Sequence, residues 1–184
     1  MKKKHLVTNV LIGLILGFST QGCKETENPP PPTNEEELIT TLKVELKDTL
    51  TGEQYSFYFR DSDGEGGNPP EQWDTIKLRS NSFYQCSIKF LNESNKNAIV
   101  NITDEIEKEK KDHVICLIPS VVNIQINRTD SDGTFPVGLS STWKTGAPGE
   151  GHVTITLKHQ EGIKNGTCDL GETDVEVKFA AKIK

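Results

Sequence analysis

The chain has 184 residues, with 27 acidic against 21 basic side chains and a net charge of −6. A surface of that sign repels nucleic acid and anionic lipid headgroups, and suits cations or a basic face on a partner. Only 7% of the residues are aromatic, few for a sugar-cleaving cleft, and the length calls for no more than one core-bearing domain.

Lys2, Lys3 and Lys4 precede an apolar run, Val10 to Phe18. That run is shorter than the ~20 residues a spanning helix needs, and reads as the h-region of a secretory signal. Gly22 before the lone Cys23 resembles a bacterial lipoprotein box, although Thr20 stands where Leu is usual; the alternative is an ordinary signal with Cys23 free. Lipidation of Cys23 would remove residues 1–22, with three lysines and no acid, and take the charge from −6 to −9. Residues 23–37 then form the acylated Cys and a charged tether, in which Pro29 to Pro32 favour polyproline II. The opening "CKETE" resembles the export signal of surface-displayed lipoproteins, with a periplasmic linker as the alternative. The expected location is the outer membrane, at its periplasmic face or the cell surface.

From residue 38 to 184 the apolar residues alternate, the mark of half-buried strands. Leu42, Val44 and Leu46 open the series, and Tyr55, Phe57 and Phe59 follow. After the loop "RDSDGEGG" come 75–78, then Tyr84, Cys86, Ile88 and Phe90. The stretch 103–113, "TDEIEKEKKDH", predicts a short, mostly exposed helix crossing between sheets. Thr103 is its expected cap, and Glu107 with Lys111 its i,i+4 pair. Strands follow at 113–118, at Val122, Ile124 and Ile126, at 138–143 beyond the loop "TDSDGTF", at Val153, Ile155 and Leu157, and at Val175, Val177 and Phe179. One apolar face per strand predicts an all-β antiparallel sandwich, immunoglobulin-like in general shape, with that one helix.

The doubled Asp-Ser-Asp-Gly has two readings. Asp-Gly between strands is a hairpin signal. Alternating carboxylates also suit Ca²⁺, which wants six to eight oxygens. The first loop offers Asp61, Asp63 and Glu65, and the second Asp130 and Asp132; neither has the terminal Glu of an EF-hand. Glu109 lies one helical turn before His113, so the two could hold a transition metal, or His113 could simply cap the helix. His152 and His159 fall on opposite faces of one strand, and His159 has core-face parity at the strand's end. "GETD", 171–174, reads as a polar turn whose carboxylates could join a site.

Cysteines of exported proteins tend to pair. A Cys86–Cys116 bridge is one candidate, although free burial is the commoner fate of a core-facing thiol such as Cys86. There is no C-x-x-C, G-x-S-x-G, H-E-x-x-H or phosphate-cradling loop, so no enzymatic reaction is expected.

The signal together with "NEEELITTL" (34–42), "FRDSDGEGG" (59–67), "NITDEIEKEKKDH" (101–113), "VTITLKHQ" (153–160) and "GETDVEVKF" (171–179) resembles a family of small Bacteroidetes outer-membrane lipoproteins. Its members often carry the label of a type 1 periplasmic binding fold, which the absence of strand–helix alternation here does not support. They commonly accompany TonB-dependent receptors. The resemblance implies a module that captures a metal ion or metal complex for such a receptor, held to the membrane by its lipid. The competing expectation is a structural or protein-interaction sandwich with at most structural Ca²⁺.

Overall fold

The computed structural model describes residues 38–64 and 66–184. The signal, Cys23 and the Pro-rich tether lie outside the described residues, as does Glu65.

Strands β1 (Thr41–Asp48), β2 (Gln54–Arg60), β3 (Gln72–Trp73), β5 (Phe83–Asn92), β6 (Val100–Asn101), β8 (Ile124–Arg128) and β9 (Ser140–Thr145) form a seven-stranded sheet. Its order is β3-β2-β1-β5-β9-β8, with β6 on β5. Strands β4 (Ile76–Leu78), β7 (His113–Ser120), β10 (Gly149–His159) and β11 (Glu172–Ile183) form a four-stranded sheet, ordered β4-β11-β10-β7. All pairings are antiparallel except β4 with β11. The expected sandwich is present, with that one parallel edge.

Alternation explains the layers. In β1, Leu42, Val44 and Leu46 are at most 1% exposed, while Lys43, Glu45 and Lys47 face outward. Val153, Ile155 and Leu157 of β10 and Val177 and Phe179 of β11 join them in one core, along with Trp143 of β9. Each fully buried aliphatic side chain there contributes roughly 1.5–3 kcal/mol. The β1–β2 hairpin is closed by Asp48, whose Oδ1 accepts the N–H groups of Leu50 and Thr51 at 2.9 Å. Strands β3 and β6 have two residues each, too few to leave an alternation signal.

Helix α1 spans Thr103–Lys108 only. It leads from β6 in the larger sheet to β7 in the smaller, and buries Ile106 alone. Ile102, not Thr103, is the N-cap, because Thr103 Oγ1 is bound to the backbone of Phe90 on β5. The helix stops before Lys111, so the expected Glu107–Lys111 helical pair does not form, and Glu109 is the C-cap. The chain then turns so that His113 opens β7 rather than closing the helix. Among the described residues no helix is long and apolar enough to cross a membrane.

The bridge is Cys116–Cys168, not Cys86–Cys116. Cys86 sits on the inner face of the larger sheet and stays free. Cys116 follows the core residue Ile115 on β7, so it faces the opposite side of the smaller sheet, under the loop joining β10 to β11. Burial pushes the Cys86 thiol up to about 12, which leaves it unreactive.

Candidate metal centre

Three side chains converge at one end of the smaller sheet. His113 is the first residue of β7 and His159 the last of β10, and the register pairs them directly. Both share the inward parity of their neighbours Ile115 and Leu157, which are fully buried. On the next strand the register slips: Leu157 faces Val175, but Lys158 faces Thr173, leaving Asp174 as an extra residue. Such a β-bulge reverses the alternation beyond it and re-aims a side chain. Without it Thr173, in step with Val175 and Val177, would face inward; with it Asp174 does. Ligand-capable atoms of His113, His159 and Asp174 all lie within 4.8 Å of one another.

The imidazoles meet edge to face, with centroids 4.7 Å apart. His113 is 1% exposed, and its Nδ1 lies 3.2 Å from the Glu109 carbonyl oxygen. A carbonyl only accepts, so Nδ1 carries the proton and Nε2 keeps a free lone pair. Burial is the main influence that lowers the His113 pKa, opposed by the Glu109 carbonyl and reinforced by His159. The ring is therefore neutral at neutral pH, the form that binds metal. His159 Nε2 is buried with no hydrogen-bond partner among the described residues, and a buried acceptor or donor left so is costly unless something fills the gap.

Two imidazoles and one carboxylate form a donor set for Zn²⁺, Fe²⁺, Ni²⁺ or Cu²⁺. It is unsuited to Ca²⁺, which needs six to eight oxygens. Three protein donors also leave coordination positions for water or an external ligand. The hydrogen bond from His113 to the Glu109 carbonyl is the kind of outer contact that fixes a ligating ring's tautomer. A cavity of about 520 Å³ runs to Asp174 between the start of β11 and the first acidic loop, lined by Asp61, Gly64, Asn68, Pro70 and Thr173.

Of the sequence-derived candidates, His113 and His159 are thus brought together. Glu109 supplies its carbonyl, and its carboxylate is not in the cluster. Of the remaining described carboxylates, Asp63, Asp130 and Asp132 are held by protein donors, whereas Asp61 Oδ1 is buried with no hydrogen-bond partner among the described residues. The Gly64 N–H donates to the Asp61 carbonyl at 3.2 Å, and Gly64 adopts φ +79°, where a side chain would be strained. Asp63 Oδ2 accepts the Asn68 N–H at 2.9 Å and its Nδ2 at 2.6 Å. Asp61 is raised, by burial first and by the neighbouring Asp63 carboxylate second. In the second loop Asp130 accepts the N–H groups of Gly138 and Leu139 at 2.8 and 2.9 Å. Asp132 accepts those of Thr134 and Phe135 through Oδ1, and its Oδ2 lies 2.8 Å from Lys164 Nζ. Lys164 foremost, then the Phe135 N–H, hold its carboxyl well below the usual carboxylate range. The second loop's carboxylates already have protein donors, including an ammonium where a cation would sit.

Asp174 was visible in the sequence only as the last letter of "GETD". His152, on the outer face of β10, is exposed and apart from the cluster. Comparison with known proteins finds no matching family model, no curated protein and no solved structure.

Proposed function

We propose that this chain is a transition-metal-binding module, with His113, His159 and Asp174 as the protein ligands. The observation that carries the reading is the convergence of two imidazoles and a carboxylate from three strands within 4.8 Å, one ring already held as the neutral Nδ1–H tautomer. In this reading the lipidated Cys23 holds the module at the outer membrane, where it captures a metal ion or metal complex for a TonB-dependent receptor. The anchor and receptor rest on the lipoprotein-like signal and the family resemblance; the metal rests on the cluster.

The test is metal content. The purified full chain is stripped with chelator and titrated calorimetrically with Zn²⁺, Ni²⁺, Cu²⁺, Fe²⁺ and Ca²⁺. About one equivalent of a transition ion is expected, with no stoichiometric uptake of Ca²⁺. The pair His159→Ala and Asp174→Asn removes the uptake, while Asp130→Asn leaves it intact. A protein that takes up no transition ion stoichiometrically refutes the proposal.

A further inference from the structure

The outward face of the larger sheet departs from the acidic character of the chain. Its outward positions on β1, β2, β5, β8 and β9 carry Lys43, Lys47, Arg60, Lys89 and Lys144 against a single acid, Glu45. With Glu93, which follows β5 and whose carboxylate bonds Thr41 and Arg60 on this face, five basic groups less two acidic groups give +3 here, in a chain whose net charge is −6. Three of the five have acidic partners close by: Arg60 bonds Glu93 at 2.7 Å, Lys43 holds Glu45 at 2.7 Å, and Lys89 is the third. Lys89 shares that same Glu45 at 3.1 Å. Lys43 and Lys89 stand directly opposite each other on β1 and β5, a like-charge pairing that costs stability in a sheet. Lys47 and Lys144 have no carboxylate partner among the described residues, and both are exposed.

Between these cations the face is made of neutral hydrogen-bonding groups. Gln54, Gln85 and Thr142 fall in one row across the strands with Lys47, and Ser56, Ser87 and Ser140 in the next row with Glu45. A shallow depression of about 330 Å³ lies in this patch, its walls including Glu45 at one side and Lys47, Gln54, Ser56, Gln85 and Ser87.

We propose that this face docks an acidic polysaccharide, whose carboxylate or sulfate groups meet Lys47, Lys144 and the Lys43–Lys89 pair while its hydroxyls bond the Gln, Ser and Thr rows. Charge complementarity selects an anion. The neutral rows select a polymer rich in hydroxyls, since amides and hydroxyls both donate and accept as sugar hydroxyls do. The cations are sparse: Lys43 and Lys47 are four residues apart on one strand, ~13 Å at ~3.3 Å per residue. That spacing fits a chain with charges on separated sugar units better than a duplex with one charge per ~1.7 Å. Among the described residues Phe83, 55% exposed, is the one large apolar side chain exposed on this face, and Lys144 covers its ring at 5.4 Å. The face therefore lacks the apolar set that enters a membrane interface and the row of rings on which bases stack. This proposal does not depend on the metal reading.

The experiment uses fluorescence anisotropy of labelled heparin and labelled polygalacturonate with the full chain at low salt. Neutral dextran, duplex DNA and vesicles rich in anionic phosphatidylglycerol are run alongside. Saturable, salt-sensitive binding of at least one acidic polysaccharide is expected, and none of dextran. Lys47→Gln with Lys144→Gln weakens it about tenfold, as for two exposed charge contacts. Lys158→Gln with Lys178→Gln, on the other sheet, leaves it unchanged. Thermal melts show that both double variants fold. The proposal is overturned by no binding of either acidic polymer, by equal binding of dextran, by binding that survives loss of Lys47 and Lys144, or by tighter binding to DNA or vesicles.

Discussion

Replacing Cys168 with Ser opens the one disulfide of the described residues and leaves the fold's core untouched. Cys116 and Cys168 are separated by 52 residues. On the chain-entropy account, closing a loop of that length removes roughly 14 cal/mol/K from the denatured chain, or about 4 kcal/mol at room temperature. The native side of the balance changes little, because the loop from β10 to β11 keeps other ties. Gln160 Nε2 donates to the carbonyls of Thr167 and Leu170, and Arg128 Nη2 to that of Gly166. For a domain of this size each kcal/mol moves the melting temperature by about 2–4 °C, so Cys168→Ser lowers it by roughly 8–16 °C. The assay is urea and thermal unfolding of the full chain, with and without reductant. Reduced wild type coincides with the variant. Cys86→Ala, which removes only a buried sulfur, costs about 1 kcal/mol. A Cys168→Ser penalty below about 1 kcal/mol, or a larger effect at Cys86 than at Cys168, refutes the reasoning and the bridge assignment together.

Two further outcomes follow from buried ionisable groups. Asp132→Ala leaves the Lys164 ammonium, whose side chain is 4% exposed, with only the Lys110 carbonyl at 2.6 Å, and lowers the unfolding free energy by about 1–2 kcal/mol; Asp132→Ala combined with Lys164→Met recovers much of that loss in urea titrations. The folded-state pKa of His113 lies below its ordinary 6.5, so the unfolded chain binds the extra proton first. Stability of the metal-free protein is therefore full above about pH 6.5 and falls as pH drops from there toward the folded value. Unfolding curves measured across that range show the decline, and His113→Asn flattens it, although His159, Asp174 and Asp112 also face this region.

The sheets were legible because one face of each long strand is buried, so alternation had to be written into β1, β5, β10 and β11. The helix was read too long for a related reason. Residues 109–112 have helical composition, but burying His113 at the head of β7 takes precedence over four more residues of exposed helix. His113 and His159 could be named but not joined, since their meeting depends on strand register. Asp174 was hidden more deeply. Parity counted back from Val177 and Val175 assigns the inward position to Thr173, and only the slipped register at Lys158 gives it to Asp174. Glu109 misled in a different way: its contribution is a backbone carbonyl, which any residue would supply. The cysteine pairing failed because alternation places Cys86 in the core but does not say what covers Cys116, which lies under a loop and not against the opposite sheet.

The bulge at Asp174 also fixes when the cluster comes into being. Its members lie at positions 113, 159 and 174, on three strands that are neighbours only once the smaller sheet has closed. No excised hairpin of this chain carries all three, and the β7–β10 pairing brings His113 to His159 but lacks Asp174 until the final strand docks. An ion held there is accordingly a ligand of the finished molecule alone, and by mass action its presence draws the population toward complete closure.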